Sequence, residues 1–252
     1  MTPTALITGA TSGLGAEFAR QLAGRGHHLV LVARDTARLE LTAIELTAAY
    51  SIGVEILTAD LLTDDGVALV AARLETDQRS VDVLVNNAGF GLAGWFTDNT
   101  LAQERDHLRI LVQTPMDLCH AALTAMVRRG GGRVINVSSV AGFTPRGTYS
   151  AAKAWVINFS RWANAFYSPK GVTVTAICPG FVRTEFHGRM GADTTGIRDW
   201  MWLEPPRVVA EGLRDAFAGK AVSIPTKRYK AMTKVAAAFP DSLATKLAGR
   251  GR

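Results

Sequence analysis

Cysteine is scarce in this 252-residue chain: Cys119 and Cys178 stand far apart and form no CxxC pair. That excludes a disulfide-stapled fold and a cysteine-ligated zinc site. It leaves two free thiols, expected to be buried in a reducing compartment. Metal-ligand spacing is also missing: His27, His28, His107, His120 and His187 form no HExxH or similar set, so no metal is expected. No apolar run approaches the roughly 18 residues of a membrane span, and no basic segment opens the chain as in a secretory signal. A cytoplasmic protein is the expectation. Acidic residues are nearly absent from 227–252, where Asp241 alone faces Lys227, Arg228, Lys230, Lys234, Lys246, Arg250 and Arg252. This basic tail accounts for the whole net charge of +6, so residues 1–226 are neutral. A neutral body argues against nucleic acid as a partner. The tail reads as a solvated surface segment, with contact to an anionic membrane surface as the alternative.

What the chain has is alternation. Short β-branched or apolar runs (Ala5–Thr8, His28–Ala33, Val54–Thr58, Val83–Asn86, Val134–Ser138, Val172–Ile177, and a weaker Ala221–Ile224) are predicted strands. Between the first six lie helical patterns at Gly13–Gly24, Thr36–Tyr50, Thr63–Glu75, Leu101–Arg129 and Tyr149–Ser168. Such alternation calls for parallel strands joined by right-handed helical crossovers. The expected fold is α/β: a single-domain, Rossmann-type, doubly wound parallel sheet of about seven strands with helices on both faces. No linker or repeat divides residues 1–226. Ligands of such sheets bind beyond the carboxyl ends of the strands, and the motifs that follow sit there.

The first predicted strand runs into Gly9-Ala-Thr11-Ser12-Gly13-Leu14-Gly15 and then a helix. Glycines permit a tight turn and close approach to a pyrophosphate, and the helix N-terminus offers unpaired N–H groups. The spacing is GxxxGxG rather than GxGxxG. An NAD site places an acid at the end of the second strand; here that slot holds Ala33. Arg34 follows, with Arg38 a turn later, and guanidinium groups suit a 2′-phosphate. NADP(H) is therefore the expected cofactor. Asp35 reads as the N-cap of the next helix.

Tyr149-Ser-Ala-Ala-Lys153 opens another predicted helix, and residues four apart share one face. A free tyrosine, with pKa about 10, is a poor catalyst near neutrality; a fixed ammonium beside it favours the phenolate and is expected to lower that pKa. The hydroxyl can then pass a proton to or from a carbonyl oxygen. Ser139, after the fifth strand, can hold the same oxygen, with Ser138 as the alternative serine. Asn86-Asn87-Ala88-Gly89 ends the fourth strand and Pro179-Gly180-Phe181-Val182-Arg183-Thr184 the sixth.

Taken in order, these motifs resemble the short-chain dehydrogenase/reductase family of the NADP-preferring type, over about residues 4–186. The resemblance implies Ser139, Tyr149 and Lys153 as catalytic residues, with Lys153 also bonding the nicotinamide ribose. It implies that Thr8, Gly9, Thr11, Ser12, Gly13, Leu14 and Gly15 form the cofactor loop, with Asp60 and Leu61 against the adenine. Asn87, Ala88 and Gly89 would lie beneath the adenine ribose. Pro179, Gly180, Val182 and Thr184 would hold the nicotinamide, and a segment near 185–204 would fold over substrate. There Trp200, Met201 and Trp202, with Phe90, Trp95 and Phe143, suggest an apolar carbonyl compound or secondary alcohol as small-molecule substrate.

Two departures stand out. The family's fourth catalytic residue, an asparagine that anchors a relay water, aligns with Leu111, and Leu101–Arg129 contains no asparagine. Either Gln113 substitutes or the relay is altered. The serine-to-tyrosine connection, Val140–Thr148, is also short. The expected function is hydride transfer between NADP(H) and a carbonyl; the alternative is an NADP(H)-binding sensor or structural protein with little turnover. Trp155, Phe159, Trp162 and Phe166 form a stripe away from Tyr149 and Lys153, and the family pairs subunits there, so a homodimer or homotetramer is expected.

Overall fold

The computed structural model describes residues 2–190 and 195–236. Seven strands, β1 (Thr4–Thr8), β2 (His28–Ala33), β3 (Val54–Thr58), β4 (Val83–Asn86), β5 (Gly132–Val137), β6 (Val172–Ile177) and β7 (Val222–Ser223), form one sheet in the order β3-β2-β1-β4-β5-β6-β7. All pair in parallel. The helices are α1 (Gly13–Ala23), α2 (Thr36–Tyr50), α3 (Asp64–Glu75), α4 (Leu101–Leu108), α5 (Thr114–Arg129), α6 (Thr148–Tyr167), α7 (Glu185–Arg189), α8 (Pro205–Phe217) and α9 (Lys227–Ala236). The sheet has the Rossmann-type doubly wound architecture in a single domain. Strand order reverses between β1 and β4, so a crevice opens beyond their carboxyl ends.

Alternation within the strands builds two cores. Leu6, Val30, Leu84, Val134 and Val174 face one layer of helices, while Ala5, Ile7, Leu29, Leu31, Val83 and Val85 face the other. Residues one apart point to opposite faces, and the central strands here are covered on both. Local signals stop and start the helices. Asp35 accepts the Arg38 N–H at 3.0 Å, Thr63 accepts the Gly66 N–H at 3.1 Å, and Thr100 with Gln103 makes a capping box.

Three expectations need correction. The predicted Leu101–Arg129 helix is α4 and α5 joined by a π-turn, Arg109–Gln113. Pro115, in the first turn of α5, has no N–H to offer the carbonyl of Leu111 and its ring crowds that carbonyl, so the ladder widens there. By length and hydropathy this run also qualifies as a membrane span, contrary to expectation; more than half of its most apolar stretch is buried, with α5 packed on α3 and β5. Finally, the division at 226/227 is not a structural one. Residues 227–236 form α9, whose Tyr229 is only 2 % exposed, so this part of the basic tail belongs to the folded body; residues 237–252 lie outside the described residues. Both thiols are buried and free.

Candidate active site

The ends of β1 and β4 are laced by side-chain to backbone bonds. The Thr8 hydroxyl accepts the N–H groups of Asn87 (2.9 Å) and Ala88 (3.0 Å), while Asn87 Nδ2 donates to the Thr8 carbonyl at 2.9 Å. The glycines of the loop answer to close approach. A Cβ on Gly15 would lie 2.0 Å from the Gly9 carbonyl oxygen and 2.6 Å from Asn87 Nδ2. Ser12 precedes α1 in an extended conformation and its side chain caps nothing. The first N–H groups of α1 therefore keep their donors for an anion. Thr11, Ser12, Gly13 and Leu14 are partly exposed at this mouth, and a Cβ on Gly13 would stand 3.3 Å from Thr184 Cβ. The loop after β1 and the segment after β6 thus face each other across the switch point.

Arg34 and Arg38 are exposed beyond β2, and Ala33 stands where an acid would discriminate against a phosphate. Arg38 is 3.7 Å from Glu185 of α7. Asp60 accepts the Leu62 N–H at 3.0 Å, whereas Leu61 turns its side chain into the core and gives its carbonyl to the Thr114 hydroxyl at 2.9 Å. Pro179 accepts the Val140 N–H at 3.0 Å, and Val182 is buried against Leu203 and Tyr229.

Ser139, Tyr149 and Lys153 come together at the end of β5 and the first turns of α6. The Ser139 hydroxyl accepts the Ala141 N–H at 3.1 Å, and Ser139 is the polar side chain that favours the ionised form of Tyr149. Ser138 faces elsewhere: buried, it donates to the Lys153 carbonyl at 2.8 Å. Lys153 Nζ lies 5.6 Å from the Tyr149 ring centroid and donates to the Val137 carbonyl at 2.8 Å. The expected direction of tuning is not what this geometry produces. Burial pushes the Tyr149 phenol up to about 12, against the lowering pull of Ser139. Burial brings the Lys153 ammonium down to about 8. Desolvation of the charged form is the largest influence on each, ahead of Ser139 at the phenol and Cys178 at the ammonium.

Leu111, on the π-turn, is buried at 2 % exposure beneath Gly89, where an added Cβ would lie 2.8 Å from Leu111 Cδ2. Gln113 is exposed and cannot take the asparagine's place. Beside Leu111 is a cavity of about 10 Å³, lined among others by Asn86, Asn136, Pro115 and Lys153. Asn86 Nδ2 donates to Asn136 Oδ1 at 2.9 Å, which leaves its buried Oδ1 without a partner. The space suits one water and is polar enough to hold it.

The loops proposed to wall the pocket divide. Phe143 packs into the core against Ile157, Ala176 and Cys178, and Trp95 and Trp200 are exposed. Phe90 packs on His107, and Trp202 on Phe181. Sequence reading missed Phe186, 6.3 Å from Tyr149 between ring centroids, and His107, which stacks on Tyr149 at 6.0 Å. Phe186 carried a signal, since it follows the Thr184 N-cap (N–H to hydroxyl, 3.3 Å). His107 sits one helical turn before Leu111, and that spacing could have found it. Tyr229 was also missed: its hydroxyl accepts the Phe181 N–H at 3.2 Å and donates to the Met201 carbonyl at 2.7 Å.

Residues 3–195 match the family model described as short chain dehydrogenase. The chain belongs to the short-chain dehydrogenase family. Its members are oxidoreductases that bind NAD(P)(H). Among solved structures, this short-chain dehydrogenase resembles one from Sphingobium yanoikuyae in complex with NADPH, at 36 % identity and TM-score 0.85, covering 92 % of this chain and 93 % of that one. The bulky-bulky ketone specific alcohol dehydrogenase from Comamonas testosteroni gives 31 % identity and TM-score 0.80, over 92 % and 91 %. A very-long-chain 3-oxoacyl-CoA reductase of Laccaria bicolor is 34 % identical over 183 residues, 71 % of this chain and 54 % of that protein. The inactive hydroxysteroid dehydrogenase-like protein 1 of Homo sapiens is 29 % identical over 82 % of this chain and 63 % of its own. The chain thus spans less than two thirds of these two curated relatives.

Proposed function

We propose that this short-chain dehydrogenase is an NADP(H)-dependent carbonyl reductase, interconverting an apolar ketone or aldehyde and its alcohol in a reducing, cytoplasmic compartment. The observation that carries this reading is the convergence of Ser139, the Tyr149 phenol and Lys153, whose Nζ lies 5.6 Å from the phenol ring. It lies at the mouth that also presents the uncapped α1 N-terminus.

The residues present fit a dinucleotide. Gly9 to Gly15 leave backbone space that a side chain would fill, and α1 presents free donors to a pyrophosphate. Arg34 and Arg38 suit a 2′-phosphate, Asp60 and Asn87 to Gly89 border the adenosine side, and Pro179, Gly180, Val182 and Thr184 border the nicotinamide side. The bound cofactor supplies the hydride. The chain's own residues handle the proton. Ser139 orients the substrate oxygen, and Tyr149, a neutral phenol at every ordinary pH, donates its proton as negative charge gathers on that oxygen. In this direction the phenol enters the step already protonated; taking a proton back from an alcohol requires the phenolate and gains from alkaline pH. Lys153 bonds the ribose side and supports the developing phenolate.

A homodimer or homotetramer is part of the reading. On α6, Trp162 is 54 % and Phe166 49 % exposed, an apolar stripe that a second copy would cover. Leu111 favours the second reading, a nucleotide-binding protein without turnover, as the residue departs from the family's catalytic set. Fluorescence titration with NADPH and NADH, followed by NADPH consumption against a panel of apolar carbonyls, separates the two. Tight NADPH binding with turnover is expected. Tight binding with no turnover on any carbonyl supports the second reading, and tighter NADH binding overturns the role of Arg34.

A further inference from the structure

His107 is an imidazole built into the candidate active site. It stands in the last turn of α4, 2 % exposed, between two rings. On one side lies Tyr149, centroids 6.0 Å apart and planes 18° from parallel; on the other lies Phe90, at 5.7 Å and 40°. The Phe90 backbone favours the protonated ring, and the buried Nε2 has no partner. Phe90 directly continues the Asn87–Gly89 segment, and Tyr149 opens α6. The imidazole therefore wedges the two segments that carry the candidate site to a fixed spacing.

We propose that His107 is a positioning residue for Tyr149: as a neutral ring it fixes the phenol against Ser139, and protonation breaks that support. The inference rests on the reductase reading above. Its physical basis is the stack. A neutral imidazole lies flat on a phenol at little cost, whereas an imidazolium would place a second N–H and a positive charge in a buried slot that offers Nε2 no acceptor. The charged groups around it are Glu104 on its own helix and Lys153 on α6, with Tyr149 stacked against its face. Glu104 favours the proton and Lys153 opposes it, but burial is the largest influence and holds the pKa below the ordinary 6.5. The neutral form is thus the working form at physiological pH. Acidification removes it.

Two variants and two readouts test this. His107→Phe keeps a flat ring and cannot take a proton; His107→Ala removes the ring. With NADPH and the best carbonyl found, the wild type should lose kcat on the acid side of neutrality. His107→Phe should lie within about threefold of wild type at pH 8 and lose that acid limb. His107→Ala should fall at least about tenfold in kcat while NADPH affinity stays unchanged, as expected for a misaligned proton donor. An acid limb retained in His107→Phe, or a full kcat in His107→Ala, overturns the proposal. The second readout needs no turnover: the His107 ring resonance, assigned by its loss in His107→Phe, is followed by NMR against pH. It should titrate below 6.5 and move when Tyr149 is replaced by alanine, through the lost ring current. A free-histidine titration that ignores Tyr149→Ala overturns the proposal even if no substrate has been found, and absent turnover with the expected titration counts against the reductase reading alone.

Discussion

The two halves of the crevice are built differently. On the β1–β4 side, the walls are backbone: Asn87 and Thr8 tie two strand ends together, and Gly15 brings its chain against Gly9 with no room for a methyl group. On the α4–α6 side, the walls are rings: Phe90, His107, Tyr149 and Phe186 lean on one another through faces and edges. Backbone walls tolerate few residue types, because geometry itself is the ligand-binding element. Ring walls tolerate many, because several flat side chains fill the same space. On the proposed reading, affinity for the cofactor belongs to the first kind of wall and choice of reaction partner to the second.

Substitutions can break that contrast. The largest effect is expected from Tyr149→Phe, which keeps the ring and removes the proton: turnover should fall by about 10²–10⁴-fold while NADPH binding by fluorescence is retained. Retained turnover would remove Tyr149 from its role. Gly15→Ala should do the reverse, weakening NADPH binding at least about tenfold because the Cβ must push the Gly9 carbonyl and Asn87 aside. Its melting temperature should fall too. If both variants lose binding equally, the two halves are not separable. Arg34→Ala should narrow the preference for NADPH over NADH by roughly tenfold, the loss of one charge-assisted contact, with little change in stability.

Smaller effects sharpen the picture. Lys153→Met should raise the melting temperature at neutral pH by a few degrees. The sign follows from burial, which brings the ammonium from 10.5 down to about 8. Between those values the unfolded chain holds more protons than the folded one, so wild-type stability rises with pH through that window. The advantage of the methionine variant should therefore shrink from pH 8 upward, read by thermal melts across the range. Smallest of all is Leu111→Asn. It exchanges a buried leucine beneath Gly89 for an amide and should cost about 1–3 kcal/mol of stability, with kcat equal to wild type or slightly higher. A large loss of kcat without unfolding would mean that the leucine itself shapes the site.

Legibility followed the same division. The strands, the glycine loop and the Tyr149–Lys153 spacing could be read from sequence because period-two burial, turn chemistry and helical spacing each leave a local trace. Ser139 was favoured over Ser138 by strand alternation together with the family pattern. The π-turn was not read, although Pro115 marks it, because a widened hydrogen-bond ladder changes no residue type in an apolar run. His107, Phe186 and Tyr229 were missed for another reason: each matters through a ring or backbone brought near from far along the chain. The direction of the pKa shift at Tyr149 also escaped, since the pair's attraction is visible in spacing while its burial is a property of the whole fold.

Tyr229 has a consequence for how the protein comes to be. A Cβ on Gly180 would lie 2.0 Å from the Tyr229 ring, so the ring rests directly on the Pro179–Val182 turn. In a chain synthesised from its N-terminus, that turn emerges well before the ring that covers it. The β1–β4 side can settle while translation continues, but the turn after β6 waits for α9. Ribosome-bound chains halted between the two would then carry the strand ends and glycine loop with the turn after β6 still uncovered.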